Sequence, residues 1–212
     1  MRRHLRKLGP VYSLYRTVRR SAAARRFKRQ FEQSGKKRIV VGACGQHDAT
    51  WIPTEAEFLN LLRPDHWQRF FQPASLEAIL AEHVWEHLTA NDASIAASTC
   101  FRYLKRGGYL RIAVPDGFHP DPDYIEQVRV GGSGSGADDH KVLYTHQTLS
   151  AVFEKAGFRV QLYEYFDQSG KFHFHDWSPQ DGMIRRSRRF DSRNADGNPH
   201  YTSIVLDAIK DA

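Results

Sequence analysis

The character of the chain switches repeatedly between apolar runs and polar breaks, and each switch marks an element. Arg38 to Gly45 carries Ile-Val-Val ahead of two glycines, a β-branched block that predicts a buried strand entering a tight loop. Trp51 to Glu55 is a second short strand, with limited pairing at Pro53. Leu76 to Ala81 is a third, followed at once by Glu82-His83-Val84-Trp85-Glu86-His87-Leu88. Ile95 to Leu104 has helical character, and Lys105-Arg106-Gly107-Gly108 supplies its stop. Tyr109 to Val114 returns to strand and is broken by Pro115. Thr145 caps a helix that runs to about Ala156, closed by Gly157. Phe158–Phe166 and Tyr201–Ile209 are two final strands. Strands alternating with helices, then two late strands, predict an α/β domain around a mainly parallel sheet.

Composition sharpens this picture in two places. The chain has 212 residues, enough for one domain with extensions, and 41% hydrophobic residues, enough for a core. No apolar run approaches the ~20 residues of a membrane-spanning helix. No apolar block follows the basic N-terminus, so a secretory signal is not expected. With Cys44 and Cys100 as the only cysteines, the expected setting is reduced and cytoplasmic.

The formal net charge of +7 is unevenly divided. Residues 1–38 hold 14 Lys and Arg against the single acid Glu32, which leaves the remainder acidic by six charges. Basicity belongs to an arm, residues 1–37, and the domain proper, 38–212, carries no nucleic-acid-binding signature. The arm predicts a helix over Ser13–Gln33 with a loose apolar stripe of Tyr12, Tyr15, Val18, Ala22, Phe27 and Phe31. Such a helix suits peripheral contact with an anionic membrane face or an acidic partner; the alternative is a solvated helix with one edge packed on the domain. Gly131-Gly-Ser-Gly-Ser-Gly136 is linker-like.

Taken in order, these pieces resemble the class I S-adenosylmethionine-dependent methyltransferases over roughly residues 38–210. The resemblance is carried by the glycine loop after the first strand, the acid closing the second and the Glu-His-Val-Trp-Glu-His-Leu segment. The Leu-Lys-Arg-Gly-Gly-Tyr-Leu turn and the Leu-Tyr-Thr-His-Gln-Thr-Leu…Ala-Gly-Phe stretch complete it. It implies a Rossmann-like methyltransferase fold, a mainly parallel sheet with an antiparallel last strand, and S-adenosylmethionine as cofactor. Small bacterial methyltransferase-like proteins associated with surface-polysaccharide assembly are the nearest likeness. They imply a small-molecule or glycan-like acceptor, or a non-catalytic scaffold on the same fold. Neither the acceptor nor the oligomeric state is fixed by the sequence.

The resemblance also assigns residues. Gly42 and Gly45 would let backbone approach the cofactor without a Cβ. Glu55 would accept hydrogen bonds from the ribose hydroxyls, the alternative being a solvated strand end, and Asn60 would meet the adenine edge, the alternative being a loop-capping Asn. Glu82 would face the cofactor's cationic amino group, and His83 would line the transfer zone beside it. His140, after Asp138-Asp139, would act as base for an acceptor hydroxyl from a loop folding over the pocket; an exposed polar loop is the alternative. Asp116 is a further pocket candidate. Two departures stand out. His47 occupies a place where a third glycine is common, and Gln46 to Thr50 leave no room for a crossover helix of ~10–14 residues, so the first crossover is truncated.

Other chemistry competes for the same side chains. His83 and His87 have i,i+4 spacing, but Glu86 does not give the His-Glu-x-x-His pattern of zinc hydrolases, and no metal is expected. Near the end, Arg185-Arg-Ser-Arg-Arg189 and Asp191-Ser-Arg-Asn194 suit either a phosphate clamp or a hairpin paired internally.

Overall fold

The computed structural model describes residues 9–43 and 49–211. Seven strands form one sheet in the order β2-β1-β3-β4-β7-β5-β6. The strands are β1 (Arg38–Val41), β2 (Ile52–Pro53), β3 (Leu76–Glu82), β4 (Leu104–Pro115), β5 (Arg159–Phe166), β6 (Phe172–Phe174) and β7 (Ser203–Ile209). β1 to β4 run parallel, whereas β7 is antiparallel to both β4 and β5. This is the open, Rossmann-like α/β sheet expected from the sequence. The expected strands are all present, and β6 is an addition that extends the far edge as a hairpin with β5.

The helices are α1 (Gly9–Gln33), α2 (Pro64–Gln68), α3 (Ala90–Tyr103), α4 (Pro122–Val128) and α5 (His146–Lys155). Thr89 caps α3, accepting from Asp92 N, so the helix starts five residues earlier than its apolar pattern suggests. Thr145 and Thr148 form a reciprocal capping box on α5. Gly157, at φ 98°, takes the left-handed turn that ends that helix. Lys105 to Gly108 belong to β4 and not to a helix terminus, because the strand begins directly at Leu104.

Alternation along the strands sorts their side chains onto two unlike faces. Ile39, Val41, Ile79, Leu110, Ile112 and Leu206 join the main core with residues of α3 and α5. Ala24, Phe27 and Phe31 of α1 belong to the same core, and Phe27 lies 5.1–5.8 Å from the rings of Phe31, Phe58, Phe70 and Phe71. The second half of the basic helix is therefore packed on the domain along one edge, with Arg25, Arg26, Lys28 and Arg29 exposed.

The opposite face presents Val40, Ala78, Leu80, Ala113 and Val205. It is covered by an irregular segment, roughly residues 175–202, that contributes Trp177 and Ile184. This cover hangs on buried polar anchors. Arg111 donates to Asp207 through Nε and Nη2 (2.8 and 2.9 Å) and to the carbonyls of Ser178 and Gly182 through Nη1 (3.1 and 3.0 Å). Glu164 accepts from Trp177 Nε1 and Arg188 N (2.9 and 2.7 Å). Asn194 donates to the carbonyls of Ser187 and Tyr201 and accepts from Tyr201 N. A backbone without its own ladder needs such partners to be buried.

Candidate functional site

The carboxyl ends of the parallel strands converge on a cavity of about 510 Å³, the position at which open α/β sheets bind ligands. Val40, Gly42 and Ala43 from β1 and its exit line one side; Leu80, Glu82 and His83 from β3 line another. Glu86 and His87, Ser135 and His140, and Met183, Arg185 and Arg186 complete the wall.

Gly42 sits at φ 65°, and a Cβ there would lie 2.9 Å from Val84 Cγ2. The close approach is thus to the β3 exit, and only glycine satisfies both the backbone and the space. Glu82 lines the cavity with its Oε1 already accepting from the backbone N–H of Arg185 and Arg186 (3.0 and 2.8 Å). Its carboxylate fixes the 183–186 stretch across the opening, a positioning role that sequence reasoning missed. His83 adopts φ 55°, uncommon for a residue with a Cβ. Its backbone N–H bonds to Ala113 O (2.8 Å), and its Nε2 lies 3.0 Å from Ser203 Oγ. Such local strain persists where surrounding contacts over-determine it.

Trp85–His87 form a 3-10 turn, so His83 and His87 are not on one helical face. His83 Nδ1 instead lies 3.1 Å from Glu86 Oε1. Glu86 is 1% exposed, yet neither carboxylate oxygen accepts a hydrogen bond. Its backbone carbonyl receives Lys141 N (2.7 Å) and Val142 N (3.3 Å), which ties the 137–142 stretch to this turn. His140 is consequently buried against His87, ring centroids 4.9 Å apart, with Nδ1 2.7 Å from Val128 O. A carbonyl only accepts, so Nδ1 is the donor in that contact. The exposed-loop alternative for His140 does not hold. Nearby, burial first and the Glu86 charge second push the Tyr144 phenol up to about 12.

The remaining expected site residues are placed elsewhere. Glu55 is exposed and lines a separate opening of about 720 Å³ between α1 and β2, with Arg26, Gln30, Pro53 and Phe58. Burial and the neighbouring Glu57 charge raise its carboxyl above the usual range. Gly42 and Glu55 do not line one cavity; Trp51, 2% exposed, lines both. Asn60 lines neither opening. Its Oδ1 accepts from Leu62 N (2.8 Å) and its carbonyl accepts from Trp67 Nε1 (2.9 Å), a loop-capping role. Asp116 is fully buried, accepting from Phe118 N and Phe166 N (2.9 and 2.7 Å), and lies outside the cavity wall. Gly45 and His47 lie outside the described residues. Of the arginine-rich stretch, Arg193 pairs with Asp191 (2.6 Å), whereas Arg185 and Arg186 line the cavity.

Sheet and cavity together define an open α/β domain with a cleft at its carboxyl edge. No family model and no curated relative matches the chain. Among solved structures it is similar in outline to a SAM-dependent methyltransferase from Archaeoglobus fulgidus, 16% identical, TM-score 0.44, covering 89% of this chain and 92% of that one. A SAM-dependent methyltransferase from Thermotoga maritima, described as a possible histamine N-methyltransferase, is 12% identical with TM-score 0.47, covering 98% and 96%. The YcgJ protein from a Bacillus is 13% identical with TM-score 0.44, covering 91% and 99%.

Proposed function

We propose that the chain is an S-adenosylmethionine-dependent methyltransferase whose cofactor enters the cavity beside Gly42. The observation that carries this reading is one glycine-walled cleft at the carboxyl ends of β1 and β3, with the Glu82 carboxylate in its wall. Gly42 would admit the cofactor close to backbone, and Glu82 would face its cationic amino group. His83 and His140 would border the acceptor. Methyl transfer from a sulfonium depends chiefly on holding donor and acceptor in line, and His140, its Nδ1 held at Val128 O, would take an acceptor proton at Nε2. Arg185 and Arg186 favour a small or glycan-like acceptor that carries phosphate.

Calorimetric titration of the folded chain with S-adenosylmethionine and with its demethylated product tests the proposal. Saturable binding is expected, and Gly42→Val, whose Cβ would lie 2.9 Å from Val84 Cγ2 on left-handed backbone, should weaken it by displacing the β1 or β3 exit that walls the cleft. Absence of heat at millimolar ligand, with an intact near-UV spectrum, overturns it.

A second reading, a non-catalytic scaffold on the same fold, is favoured by one observation: Glu55 lies outside the Gly42 cavity. Binding of cofactor without methylation across a broad set of glycan and small-molecule acceptors would support it. Among the described residues no helix is long and apolar enough to cross a membrane. The exposed Arg25, Arg26, Lys28 and Arg29 of α1 support peripheral contact with anionic lipid. Co-sedimentation with anionic vesicles that weakens with salt and with reversal of those four charges is the expected result.

A further inference from the structure

We propose that Glu86, His87 and His140 form a binding site for one divalent first-row metal ion, of the zinc class, in the wall of the Gly42 cavity. This inference rests on the geometry of the three side chains and needs no methyl transfer; an ion held by His140 Nε2 would take the place of that nitrogen's proton-accepting role. Each residue offers a ligand atom, and the three atoms lie within 4.8 Å of one another. In a tetrahedral zinc site, with bonds of about 2.0–2.1 Å, ligand atoms sit roughly 3.3 Å apart. A movement on the order of 1 Å therefore closes the group around an ion, and His87, the least buried of the three, is the side chain able to make it.

The unmet bonding capacity of these residues points to a cation. Glu86 is buried to 1% exposure with both oxygens lacking a hydrogen bond, and His83 Nδ1, 3.1 Å from Oε1, pairs with it only when that ring is protonated. A buried carboxylate left in this condition is costly, whereas a bound cation compensates it. His87 Nδ1 is likewise buried without a hydrogen bond, 3.4 Å from Asp139 Oδ2.

The orientation of the other groups matches what a ligand set requires. His140 Nδ1 donates to Val128 O at 2.7 Å, which fixes the ring and directs its basic nitrogen elsewhere; metal-bound histidines are regularly held this way. His83 stands beside Glu86, its Nδ1 3.1 Å from Oε1 and its Nε2 3.0 Å from Ser203 Oγ. The two hydrogen bonds from Lys141 N and Val142 N to Glu86 O lock the segments that carry the ligands into one unit. Two imidazoles and one carboxylate leave coordination positions open, and all three residues line the cavity. A ligand hydroxyl or phosphate oxygen entering there would complete the shell.

The full-length chain, stripped with chelator and freed of it by dialysis, should be titrated with Zn2+ by calorimetry and with Co2+ by visible absorption, without any cofactor present. One ion per chain is expected, with Co2+ giving a d–d band of the intensity of a four- or five-coordinate site. Glu86→Gln and His87→Asn should each weaken Zn2+ binding by about 100-fold or more, and His83→Asn by about 10–100-fold. His173→Asn and His200→Asn, which remove histidines paired with Asp167 and Asp196, should leave it unchanged. His87 is partly exposed, so its variant keeps the fold and decides the question if Glu86→Gln disturbs it. No stoichiometric ion, unchanged affinity in His87→Asn, or loss that follows His173 or His200 overturns the site. The cofactor titration is separate, so its failure would leave this result standing.

Discussion

One of the anchors of the irregular cover on the second sheet face is a buried ion pair, and its contribution can be measured. Arg111 and Asp207 occupy paired positions on β4 and β7, with side chains 2% and 7% exposed. Removing either partner leaves the other charge in a dry interior, which costs about 3–5 kcal/mol. Arg111→Met also strips donors from Ser178 O and Gly182 O, the points where the cover crosses the sheet. Asp207→Leu leaves the guanidinium stacked between Tyr163 and Trp177 without its carboxylate. The double variant has no stranded charge, so it should lose only the carbonyl contacts, about 1–3 kcal/mol. The cycle therefore predicts a coupling of about 3 kcal/mol or more, against a total stability of about 5–15 kcal/mol. Urea unfolding followed by tryptophan fluorescence reads it, since Trp177 lies 5.3 Å from the guanidinium. Each single variant should melt roughly 6–20 °C lower, given ~2–4 °C per kcal/mol in a chain of this size. A double variant that costs the sum of the singles would refute the reasoning.

Three further outcomes follow from burial. Burial pushes the Asp116 carboxyl up to about 6, so the native state binds its proton more tightly than the unfolded state. Asp116 then favours folding most below about pH 4, and that contribution, roughly 3 kcal/mol, disappears as pH rises through 6; urea titrations at pH 4 to 7 should show a slope that Asp116→Asn flattens. Phe27→Ala removes a 2%-exposed ring from the aromatic cluster under α1 and should cost about 3–5 kcal/mol in a thermal melt, whereas Arg25→Ala, on an exposed position, should be close to neutral. Cys100 is fully buried and burial raises its thiol, so in a Cys44→Ser background thiol reagents should label the chain only at the rate of unfolding.

The face of the sheet that packs against helices was legible because its signals are local. Ile-Val-Val at β1, the Thr145 cap and Gly157 each specify an element from neighbouring residues alone. The other face was not legible in that way. Arg111, Glu164 and Asp207 break apolar strands with charge, yet they are buried and serve as attachment points for a segment far away in sequence. No periodicity marks that segment, because its backbone is satisfied by side chains and not by a ladder. The sign that could have revealed it was charge of both kinds inside apolar strands, Leu-Arg-Ile in β4 and Leu-Asp-Ala in β7, at positions that pair. Pro64 and Pro122, each at a helix start, were the unused markers of α2 and α4.

The site shows the same division, and it moves the chemical centre of the cavity. β2 contributes only Ile52 and Pro53 to the sheet, pairing with Ile39 and Val40, so the edge beside β1 is short. Trp51, just ahead of it, packs with Val40 and Leu80 on the second face and lines both openings, whereas Glu55 lines only the one between α1 and β2. Among the described residues the cleft's polar contacts lie on the other side. Those contacts come from the turn after β3, where one residue in left-handed backbone, His83, sends Glu82 to the cover loop and Glu86 to the histidine pair. A single seven-residue stretch, 82 to 88, thus supplies four of the cavity's lining side chains, Glu82, His83, Glu86 and His87, which face Arg185 and Arg186 of the cover.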